Sequence, residues 1–450
     1  MPEFLTLLPP DEARALLLSH LPRPIPDSES ISIISSLNRT LAEDILAPHP
    51  LPDFQRTTVD GYAVRARDTF GATDSLPAYL TLIGEVPMGD APAFEIGAGQ
   101  CASIHTGGML PNGADAVVML EYTQTVVGAG SPRPTEIMNE TGREDLAPTK
   151  HEIEIFKSIA EGENVIRVGE DVAQGQTVQA KGSQMRPAEI GGLLALGITS
   201  VRVVKRPMVG LISTGDEVID PSQSPRPGQV RDINSYTLGA LVEKSGGEAK
   251  RYGIISDQFE ALKDAAAKAL SECDVVVITA GSSASTRDMT ADVIRWLGEP
   301  GVLVHGINTR PGKPTILGVC NGKAVIGLPG NPVSALVNGY LFVVPVIEKL
   351  LGALPKPKPT VLAKLTVNLP SQAGREDWIP VKLTAETLGH RDLETPSLRD
   401  SVVSKTAYLA EPIFGKSNLI FTLASADGLL RIHPDATGLS AGEVVEVLLI

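Results

Sequence analysis

The sequence predicts a multidomain protein of the α/β plus β class. Its expected parts are a central α/β domain with a mostly parallel sheet covered by helices, an inserted small β domain, a helical N-terminal domain and a C-terminal β-barrel-like domain. Three observations support this. The 450 residues suffice for about three domains. Strand-like and helix-like runs alternate regularly from Pro207 onward. Residues 46–175 and 353–450 carry short strand-like runs.

The pattern of the N-terminal part of the chain predicts one domain that is interrupted by a second, inserted domain. Its helical pattern begins in "DEARALLLSHL", passes through a loop to "SLNRTLAEDILA", and resumes as a helix and a strand in "RPAEIGGLLALGITSVRVV". Between them the chain becomes rich in Pro, Gly, Thr and Val, with runs such as "LTLIGEVPMG", so a small β domain is inserted. The predicted domains are residues 1–45 with 176–206, 46–175, 207–352 and 353–450.

Residues 207–352 predict the α/β domain. Buried parallel strands are short apolar runs, and helices cover both faces of their sheet. The predicted strands are "MVGLIST", "AKRYGIIS", "DVVVITAG", "VLVHGI" and "AVIGLPG". The predicted helices are "NSYTLGALVEKSG", "QFEALKDAAAKALSE", "DMTADVIRWLG" and residues 332–350. The last of these is apolar but interrupted by polar residues and a proline, which favours a buried core helix over a membrane span.

Composition argues against several classes of function. The formal charge of −14 disfavours non-specific binding to nucleic acid or anionic membranes. Aromatic residues, at 4%, are too few for base-stacking platforms. Cys101, Cys273 and Cys320 are isolated in sequence, so neither a zinc site nor a disulfide framework is expected. The N-terminus has no basic segment before an apolar core, and we expect a cytoplasmic protein without a signal peptide.

Acidic residues recur where the predicted strands end. In an open α/β sheet, ligands bind beyond the carboxyl ends of the strands. Asp216 and Glu217 follow the first strand, Asp257 the second and Asp288 the third. Each acid also has a structural explanation, because turn carboxylates are commonly solvated and acids favour the first turn of a helix. Their convergence on one edge of the sheet predicts a site.

The turn "NTRPGKPT" carries the strongest single signal. Pro311 and Pro314 fix φ and restrict the residues before them, Arg310 and Lys313. A solvated charged face needs no such rigidity. Two rigidly held cations form a pocket for a compact oxyanion, and Arg can donate to two oxygens at once.

Two turns are candidates for binding phosphate. "LPGNPVSA" places Asn331 at an N-cap and Pro332 at N1, which is an ordinary helix start that also exposes N–H groups to an anion. For that turn taken alone the structural explanation weighs more, because such caps are common. "AGSSASTRDMT" is either a flexible strand–helix turn or a close approach for a ligand, in which Asp288 holds Mg²⁺ or a hydroxyl.

The first β domain offers three more candidates, each with a simple alternative. Asp60 in "TTVDGYAV" belongs to an Asp–Gly pair that is typical of a hairpin turn. Thr106 in "IHTGGMLPNGADAVV" and Asp171 in "VGEDVAQG" both fit ordinary loops. None of the three supports a function alone.

Taken in order, these segments resemble the molybdopterin molybdenumtransferase family, which includes bacterial MoeA and the gephyrin E domain. The match spans nearly the whole chain, and the conjunction is specific although no single motif is. The resemblance implies an L-shaped homodimer of four-domain subunits, with a cleft built from the α/β domain of one subunit and the N-terminal domains of the other. The matching segments are "TTVDGYAV", "HTGGMLPNGADAVVMLE", "VGEDV", "STGDEV", "AGSSASTRDMT", "RPGKP", "GLPGNPVSAL" and "GREDWIPV".

The resemblance also implies a reaction and residue roles. The family inserts molybdenum from molybdate into the dithiolene of adenylylated molybdopterin, with Mg²⁺, releasing AMP and yielding molybdenum cofactor. The implied molybdate-binding residues are Arg310, Lys313, Pro314, Arg375 and, as the nearest match in "GKSN", Ser417. The implied catalytic residues are Asp60, Thr106, Asp171, Glu217, Asp257 and Asp288, with Glu217 and Asp288 as metal ligands. The implied molybdopterin and nucleotide contacts are Gly215, Asp216, Gly281, Ser282, Ser283, Gly330, Asn331, Pro332 and Ser334.

Three segments depart from the usual family pattern. Arg310 stands where lysine is more usual, which keeps the charge but changes how an oxyanion is held. "AGSSAS" replaces the commoner "SGGVS" and adds hydroxyls. "HGINTRPGKPT" and "GREDW" are closer to archaeal-type members, so tungstate is a candidate oxyanion beside molybdate.

Other functions stay open at this point. One is the adenylylation of molybdopterin, because "AGSSASTRDMT" is similar to the "GGTG…RDVT" turn of that adenylyltransferase, although the β domains and "RPGKP" favour the insertase. Another is a molybdopterin-binding scaffold or a non-catalytic paralogue. The expected partners are the small-molecule substrates, a second copy of the chain and other molybdenum cofactor biosynthesis proteins, with neither nucleic acid nor a membrane.

Overall fold

The computed structural model describes residues 7–22, 27–126, 151–280, 284–385 and 408–450, with 284–288 described by backbone alone. The chain divides into two compact units. The first unit comprises Met1–Glu43, Lys181–Pro187 and Ser200–Ile450, and the second comprises Asp44–Ala180 and Ala188–Thr199. The four domains suggested by the sequence stay a prediction.

The α-helices of the described residues are few and short. They are α1 (Pro10–Ser19), α2 (Pro187–Ala195), α3 (Asn234–Lys244), α4 (Phe259–Glu272), α5 (Ala284–Leu297), α6 (Pro332–Asn338), α7 (Val344–Leu351) and α8 (Ile420–Ala424).

Strands make up most of the regular structure. Those before residue 205 are β1 (Ser28–Ser32), β2 (Ile45–Leu46), β3 (Arg56–Thr57), β4 (Gly61–Val64), β5 (Ala78–Glu85), β6 (Gln100–Ile104), β7 (Ala116–Met119), β8 (Thr123–Val126), β9 (Glu152–Ile155), β10 (Val165–Ile166), β11 (Thr177–Gln179) and β12 (Ser200–Val204). The later strands are β13 (Met208–Thr214), β14 (Val218–Ile219), β15 (Val230–Arg231), β16 (Glu248–Ile255), β17 (Val275–Ala280), β18 (Pro300–His305), β19 (Thr309–Arg310), β20 (Ile316–Cys320), β21 (Lys323–Pro329), β22 (Thr360–Leu365), β23 (Leu369–Pro370), β24 (Glu376–Ala385), β25 (Tyr408–Pro412), β26 (Gly428–Ile432), β27 (Gly438–Leu439) and β28 (Val444–Leu449).

The α/β sheet of the first unit confirms the mostly parallel sheet. Its order is β16-β13-β17-β21-β20-β18. The pairs along β16-β13-β17-β21 are parallel, and the pairs β21–β20 and β20–β18 are antiparallel. Strand β18 therefore runs in the same direction as the four parallel strands. The carboxyl ends of β13, β16, β17, β18 and β21 consequently lie at one edge of the sheet.

Helices cover both faces of this sheet, as the all-apolar strands require. The four residues Val275 to Ile278 of β17 are all buried, and they alternate between the two faces. Val275 and Val277 pack in a cluster with residues of α1, α3, α6 and α7. Val276 and Ile278 pack in a second cluster with residues of α4 and α5. This rigid double-sided core fixes the loops at the strand ends.

The predicted apolar helix after β21 is present with an irregular turn. It consists of α6, a π-helical turn at Gly339–Val343, and α7. The run Pro332–Leu351 is long and apolar enough to cross a membrane by length and composition, with a mean hydropathy of 1.5. However, 67% of that segment is buried inside the protein, mostly against the sheet. This burial agrees with the interpretation as a core helix.

The C-terminal part of the first unit forms a barrel-like sheet. The pairings β24–β25, β25–β22, β22–β28, β28–β26 and β26–β24 return to the starting strand and close the sheet. Alternating residues such as Val381, Leu430 and Val447 fill its interior. Strand β19, from the α/β domain, pairs in parallel with β24. The expectation of a β-barrel-like domain is confirmed.

The second unit is mainly a six-stranded sheet in the order β7-β4-β6-β5-β9-β8. Two apolar clusters are built on it, one around Val64, Cys101 and Ile153 and the other around Ala102 and Val117. In this unit the short alternating runs form strands, as predicted.

The helical pattern of "SLNRTLAEDILA" does not produce an α-helix. Thr40 and Leu41 form isolated bridges to Gln184 and Val203 of the first unit. Leu41 is fully buried there. Tertiary pairing with distant backbone outweighs the local helical preference of this segment.

Candidate functional site

The turn that follows β18 carries Arg310 and Lys313. Both side chains belong to exposed residues, and no described acid lies within ion-pair distance of either. The backbone of the turn is closed by its own bonds. The Ile307 N–H donates to the Lys313 carbonyl at 2.8 Å, and the Thr315 hydroxyl donates to the Gly312 carbonyl at 2.8 Å. The turn is therefore held by backbone groups while both cations remain available to a ligand.

Strand pairing brings a second predicted segment beside this turn. In the β19–β24 ladder, Arg310 is the register partner of Asp377. Arg375 lies two residues before Asp377, and its guanidinium donates to both oxygens of that carboxylate, at 2.7 and 3.0 Å. Asp377 is buried, so this bidentate pair fixes the guanidinium. The β19–β24 pairing therefore brings the segments that carry Arg310 and Arg375 close together, although these residues are 65 positions apart in the sequence.

The start of α6 is tied to two other parts of the first unit. The Val333 N–H donates to the Ser417 carbonyl at 3.0 Å, and the Asn234 side-chain amide donates to the Gly330 carbonyl at 2.8 Å. Asn331 occupies the N-cap position and Pro332 the first helical turn, but the Asn331 side chain makes no capping hydrogen bond. Pro332 and Ser334 are buried. One N–H group of the helix start is therefore already engaged by the segment that carries Ser417.

Three acids of the first unit lie on adjacent loops at the carboxyl edge of the sheet. The Asp257 N–H donates to the Asp216 carboxylate at 3.2 Å, which links the loops after β16 and β13. Glu217 follows Asp216 and is exposed. Gly215 has a φ of +139°, and a Cβ there would lie 2.8 Å from the Glu217 carboxylate, so the loop needs glycine at this position.

Part of the predicted site falls outside what the structure describes. Gly281, Ser282 and Ser283 lie outside the described residues. Asp288 lies within α5, but its side chain is likewise outside them. The roles of these four residues stay predictions.

In the second unit, Asp60 and Thr106 form a direct pair. The Asp60 carboxylate accepts from the Thr106 N–H at 2.7 Å and from the Thr106 hydroxyl at 3.0 Å. These bonds, the backbone bond first, hold the pKa of Asp60 below its ordinary value because they favour the ionised carboxylate. His105 lies 3.8 Å from Asp60 and 3.1 Å from Glu85.

Asp171 is exposed in a separate loop of the second unit. Its N–H donates to the Leu51 carbonyl at 3.1 Å. Among the described hydrogen bonds and ion pairs, none joins its side chain to Asp60 or Thr106.

Some residues that hold the loops of the candidate site belong to none of the motifs identified in the sequence. Buried Asp232 accepts hydroxyl bonds from Ser213 at 2.8 Å and from Ser235 at 2.6 Å, which ties the start of α3 to β13. Asn234 then reaches the Gly330 carbonyl. The string "RDINS" before a helical pattern has the composition of a helix start, and that is the one signal that could have identified them.

The cysteines do not contribute reactive thiolates. Cys101, Cys273 and Cys320 are free and buried. Burial raises the pKa of Cys101 to about 12 and that of Cys320 to about 11. Both thiols are therefore protonated at neutral pH, whereas the nucleophile is the thiolate.

A cavity of about 530 Å³ also opens in the described part of the first unit. Its walls include Lys244, Tyr340, Leu354 and Trp378. None of the residues that line this cavity is a predicted site residue.

The fold and this arrangement of residues can be compared with known proteins. Three family models match in chain order: "MoeA N-terminal region (domain I and II)" over residues 8–197, "Probable molybdopterin binding domain" over 210–349, and "MoeA C-terminal region (domain IV)" over 397–450. Together they define the class as that of molybdenum cofactor biosynthesis proteins with the MoeA domain organisation.

Relatives give the same result over most of the chain. Molybdopterin molybdenumtransferase of Haemophilus influenzae is 33% identical, covering 82% of this chain and 84% of its own. That of Nostoc is 32% identical, covering 94% and 88%. The molybdopterin biosynthesis MoeA protein of Pyrococcus horikoshii superposes with a TM-score of 0.79 at 32% identity, covering 99% and 100%. The chain therefore belongs to the molybdopterin molybdenumtransferase (MoeA) family, which confirms the resemblance found in the sequence.

Proposed function

We propose that this protein is a molybdenum insertase. It transfers molybdenum from molybdate to the dithiolene of adenylylated molybdopterin, and the bond between the pterin phosphate and AMP is cleaved. The observation that carries the proposal is the cationic turn at the carboxyl edge of the α/β sheet, whose two cations have no ion-pair partner among the described residues. The β19–β24 pairing lies beside it and leads to the Arg375 segment. Family membership supports the same assignment.

In this proposal the two cations bind the oxyanion. Arg310 and Lys313 supply charge-assisted donors, and Pro314 keeps the turn stiff behind them. Arg375 is already bonded to Asp377, so it contributes its remaining N–H donors and a fixed positive field. Ser417 is held against the start of α6 by its carbonyl, and its hydroxyl is a candidate for a further contact.

The pterin and its nucleotide are proposed to lie along the loops after β13, β17 and β21. Gly215 and Asp216 in the first loop and Gly330, Asn331, Pro332 and Ser334 in the last supply backbone and side-chain polar groups there. Gly281, Ser282 and Ser283 are proposed to do so from the middle loop. Since the Val333 N–H is engaged by Ser417, the other backbone groups of the α6 start would serve the phosphates.

Carboxylates of the first unit are proposed to bind Mg²⁺ together with the substrate. Mg²⁺ prefers oxygen ligands and is commonly held by one or two carboxylates plus substrate phosphates. The Asp257 N–H links Asp257 to Asp216 across adjacent loops, with Glu217 next to them. Among the described residues, no three or more His, Cys, Asp or Glu side chains are grouped to hold a metal ion, so phosphates of the substrate would have to complete the ligand set. We propose Glu217 and Asp288 as its ligands, where the ion would neutralise phosphate charge. Asp257 would hold the proton or the water required for adenylate cleavage.

Asp60, Thr106 and Asp171 of the second unit are proposed to act in the same reaction. The bonds from Thr106 lower the pKa of Asp60 and so favour its ionised form, which is suited to accept a hydrogen bond or to repel a misplaced oxyanion. Assembly as a homodimer and a cytoplasmic location are further parts of the proposal. Light scattering behind a sizing column measures the first of these, and a monomeric mass would contradict it.

The decisive experiment is an assay of AMP release from adenylylated molybdopterin by the purified full chain with Mg²⁺, with and without molybdate. We expect oxyanion-dependent AMP release together with active cofactor in the same samples. Adenylate synthesis from molybdopterin and ATP would instead identify an adenylyltransferase. Tight adenylate binding without release would identify a carrier or a non-catalytic paralogue. Tungstate in a parallel series measures the oxyanion preference.

A further inference from the structure

Asn338, the last residue of α6, is a polar side chain in an apolar core. It is 0% exposed, and its neighbours Val337, Leu341 and Phe342 belong to the main apolar cluster of the first unit. A π-helical turn begins at the next residue, Gly339. Irregular turns of this kind occur often at functional sites. No sequence motif marks Asn338, and its role in the reaction has to be read from its contacts.

The amide of Asn338 reaches the cationic turn. Its Nδ2 donates to the Pro311 carbonyl at 3.1 Å and to the Ser334 carbonyl at 2.8 Å. Both partners are carbonyl oxygens, which accept only, so the nitrogen and not the oxygen must face them. Both hydrogens of the amide are thereby used. One bond goes to the helix itself and the other to the peptide unit between Arg310 and Lys313.

The other end of the amide is not satisfied by any described group. The Oδ1 atom of Asn338 is buried without a hydrogen-bond partner. A buried acceptor without a donor is unfavourable for folding. An apolar residue at this helical, core-facing position would avoid that cost. The unsatisfied oxygen therefore offsets part of the stability gained from the two donated bonds, and the bond to the turn requires a donor.

Gly312 shows how closely the turn lies on this amide. Its φ is +108°, and a Cβ at this position would lie 1.7 Å from the Asn338 nitrogen. Any side chain at 312 must push the amide or the turn away. The position of the Asn338 amide therefore requires glycine at position 312.

Three carbonyls of the turn, those of Pro311, Gly312 and Lys313, are engaged by donors of the protein. The Gly312 carbonyl accepts from Thr315, and the Lys313 carbonyl accepts from the Ile307 N–H. For Pro311, Asn338 is the described donor. Carbonyl oxygens carry negative partial charge and would repel an oxyanion. With their oxygens engaged, the turn presents its cationic side chains to a ligand.

We propose that Asn338 is a positioning residue for oxyanion binding: it anchors the Pro311–Gly312 peptide to α6 and so fixes the placement of Arg310 and Lys313. The inference rests on the proposed function, because it assigns the anchored turn to molybdate or tungstate. It adds a residue that does not touch the substrate and acts through the backbone between the two cations.

The main test replaces Asn338 with leucine, which has nearly the same shape but no donor. We expect the N338L protein to fold with a melting temperature close to that of the wild type, because removal of the unsatisfied oxygen offsets the loss of the two bonds that the amide donates. The Kd for sodium molybdate, measured by calorimetry on the full chain, should rise at least about tenfold, as expected when charged groups are misplaced by about an ångström. The KM for molybdate should rise with it, while the affinity for adenylylated molybdopterin should stay the same.

A ligand-free readout tests the anchoring itself. Hydrogen exchange of the peptide covering residues 306–316 should accelerate in N338L, because the turn loses a tie to α6. The matched control is Ser36→Ala, which removes another fully buried hydrogen-bonding side chain of the first unit, 2.6 Å from the Ile33 carbonyl. Its exchange in 306–316 and its Kd for molybdate should equal those of the wild type.

A compensating pair gives a second, independent test. Gly312→Ala in the wild type should strongly weaken molybdate binding without abolishing it, because the new Cβ collides with the amide and alanine disfavours a φ of +108°. Asn338→Ala removes the colliding nitrogen, so the G312A/N338A protein should bind molybdate more tightly than G312A alone. Such coupling identifies direct contact between the two sites. Additive effects would overturn the proposed contact.

The outcomes separate the inference from the function. Wild-type protein that binds neither molybdate nor tungstate would overturn the proposed function and, with it, the oxyanion role of Asn338. Wild-type protein that binds, with an N338L Kd and exchange rate equal to wild type, would overturn the inference alone. A loss of molybdate and pterin affinity together would also overturn it, because the effect would then not be confined to the turn.

Discussion

The two units hold their charged loops in opposite ways. In the first unit, the turn with Arg310 and Lys313 is fixed through its backbone carbonyls, and the charged side chains take no part. In the second unit, the charged side chain is itself the tie, because the Asp60 carboxylate accepts both bonds from Thr106. The two loops therefore differ in whether the charged side chain also holds the loop in place. In the first unit the charge can be removed without disturbing the loop, whereas in the second it cannot.

The largest expected effect is the loss of a cation from the first loop. Lys313→Ala should raise the Kd for molybdate about tenfold to a hundredfold, since a charge-assisted hydrogen bond contributes about 1.5–3 kcal/mol. The melting temperature should not change, because the Lys313 backbone keeps its bond to Ile307. Calorimetry and thermal unfolding on the same preparation measure the two quantities.

Lys268→Ala is the matched control, because it removes an exposed lysine from α4, away from the cationic turn. It should bind molybdate as the wild type does. If Lys313→Ala lost pterin affinity as much as oxyanion affinity, the assignment of the turn to the oxyanion would be wrong.

The second unit should respond differently to the loss of its charge. Asp60→Ala removes the acceptor of both Thr106 bonds, so the loop around Thr106 should loosen. Hydrogen exchange of a peptide covering residues 104–110 should speed up several-fold, with peptides from β5 and β9 unchanged. Asp171→Ala is the control, because its described bond is made by the backbone and survives the change. If the 104–110 peptide exchanged at the same rate in Asp60→Ala and in the wild type, the prediction that Asp60 holds this loop would be wrong.

The same contrast shows what the sequence could predict. The prolines around Arg310 and Lys313 marked a stiff cationic turn, and the apolar strands of the α/β sheet were recognised from their runs of buried residues. Both signals are local, because φ restriction and strand burial depend on neighbouring residues. The alternation of strand-like and helix-like runs also predicts the carboxyl edge of the α/β sheet, where the loops of Asp216 and Asp257 meet. Strand β20 was not predicted, because it follows β18 through a turn and not through a helix.

The contacts that fix the loops could not be predicted from local patterns. Asn338 lies 27 residues from its partner Pro311, and Asn234 lies 96 residues from Gly330. In the sequence each is one asparagine within a helical pattern. The helix predicted for "SLNRTLAEDILA" is wrong for a related reason. The Leu41 N–H donates its hydrogen bond to the carbonyl of Ser183, far along the chain. Long-range pairing of backbone groups overrides local preference, and one sequence does not reveal it.

The smallest expected effect is a shift in the acid titration of Asp60. Its pKa lies below the ordinary value of 3.8 because of the Thr106 N–H first and the Thr106 hydroxyl second. A depressed pKa contributes stability that is complete above pH 3.8 and is lost as the pH falls through the lower, folded-state value. Thr106→Val deletes the hydroxyl and keeps the N–H. The pKa of Asp60 should therefore rise part of the way toward 3.8 without reaching it. Carboxyl NMR of aspartate-labelled protein, with Asp60→Asn to assign the signal, measures the shift. A full return to 3.8 would mean that the hydroxyl holds the backbone bond in place, and the two bonds would then act as one cooperative tie.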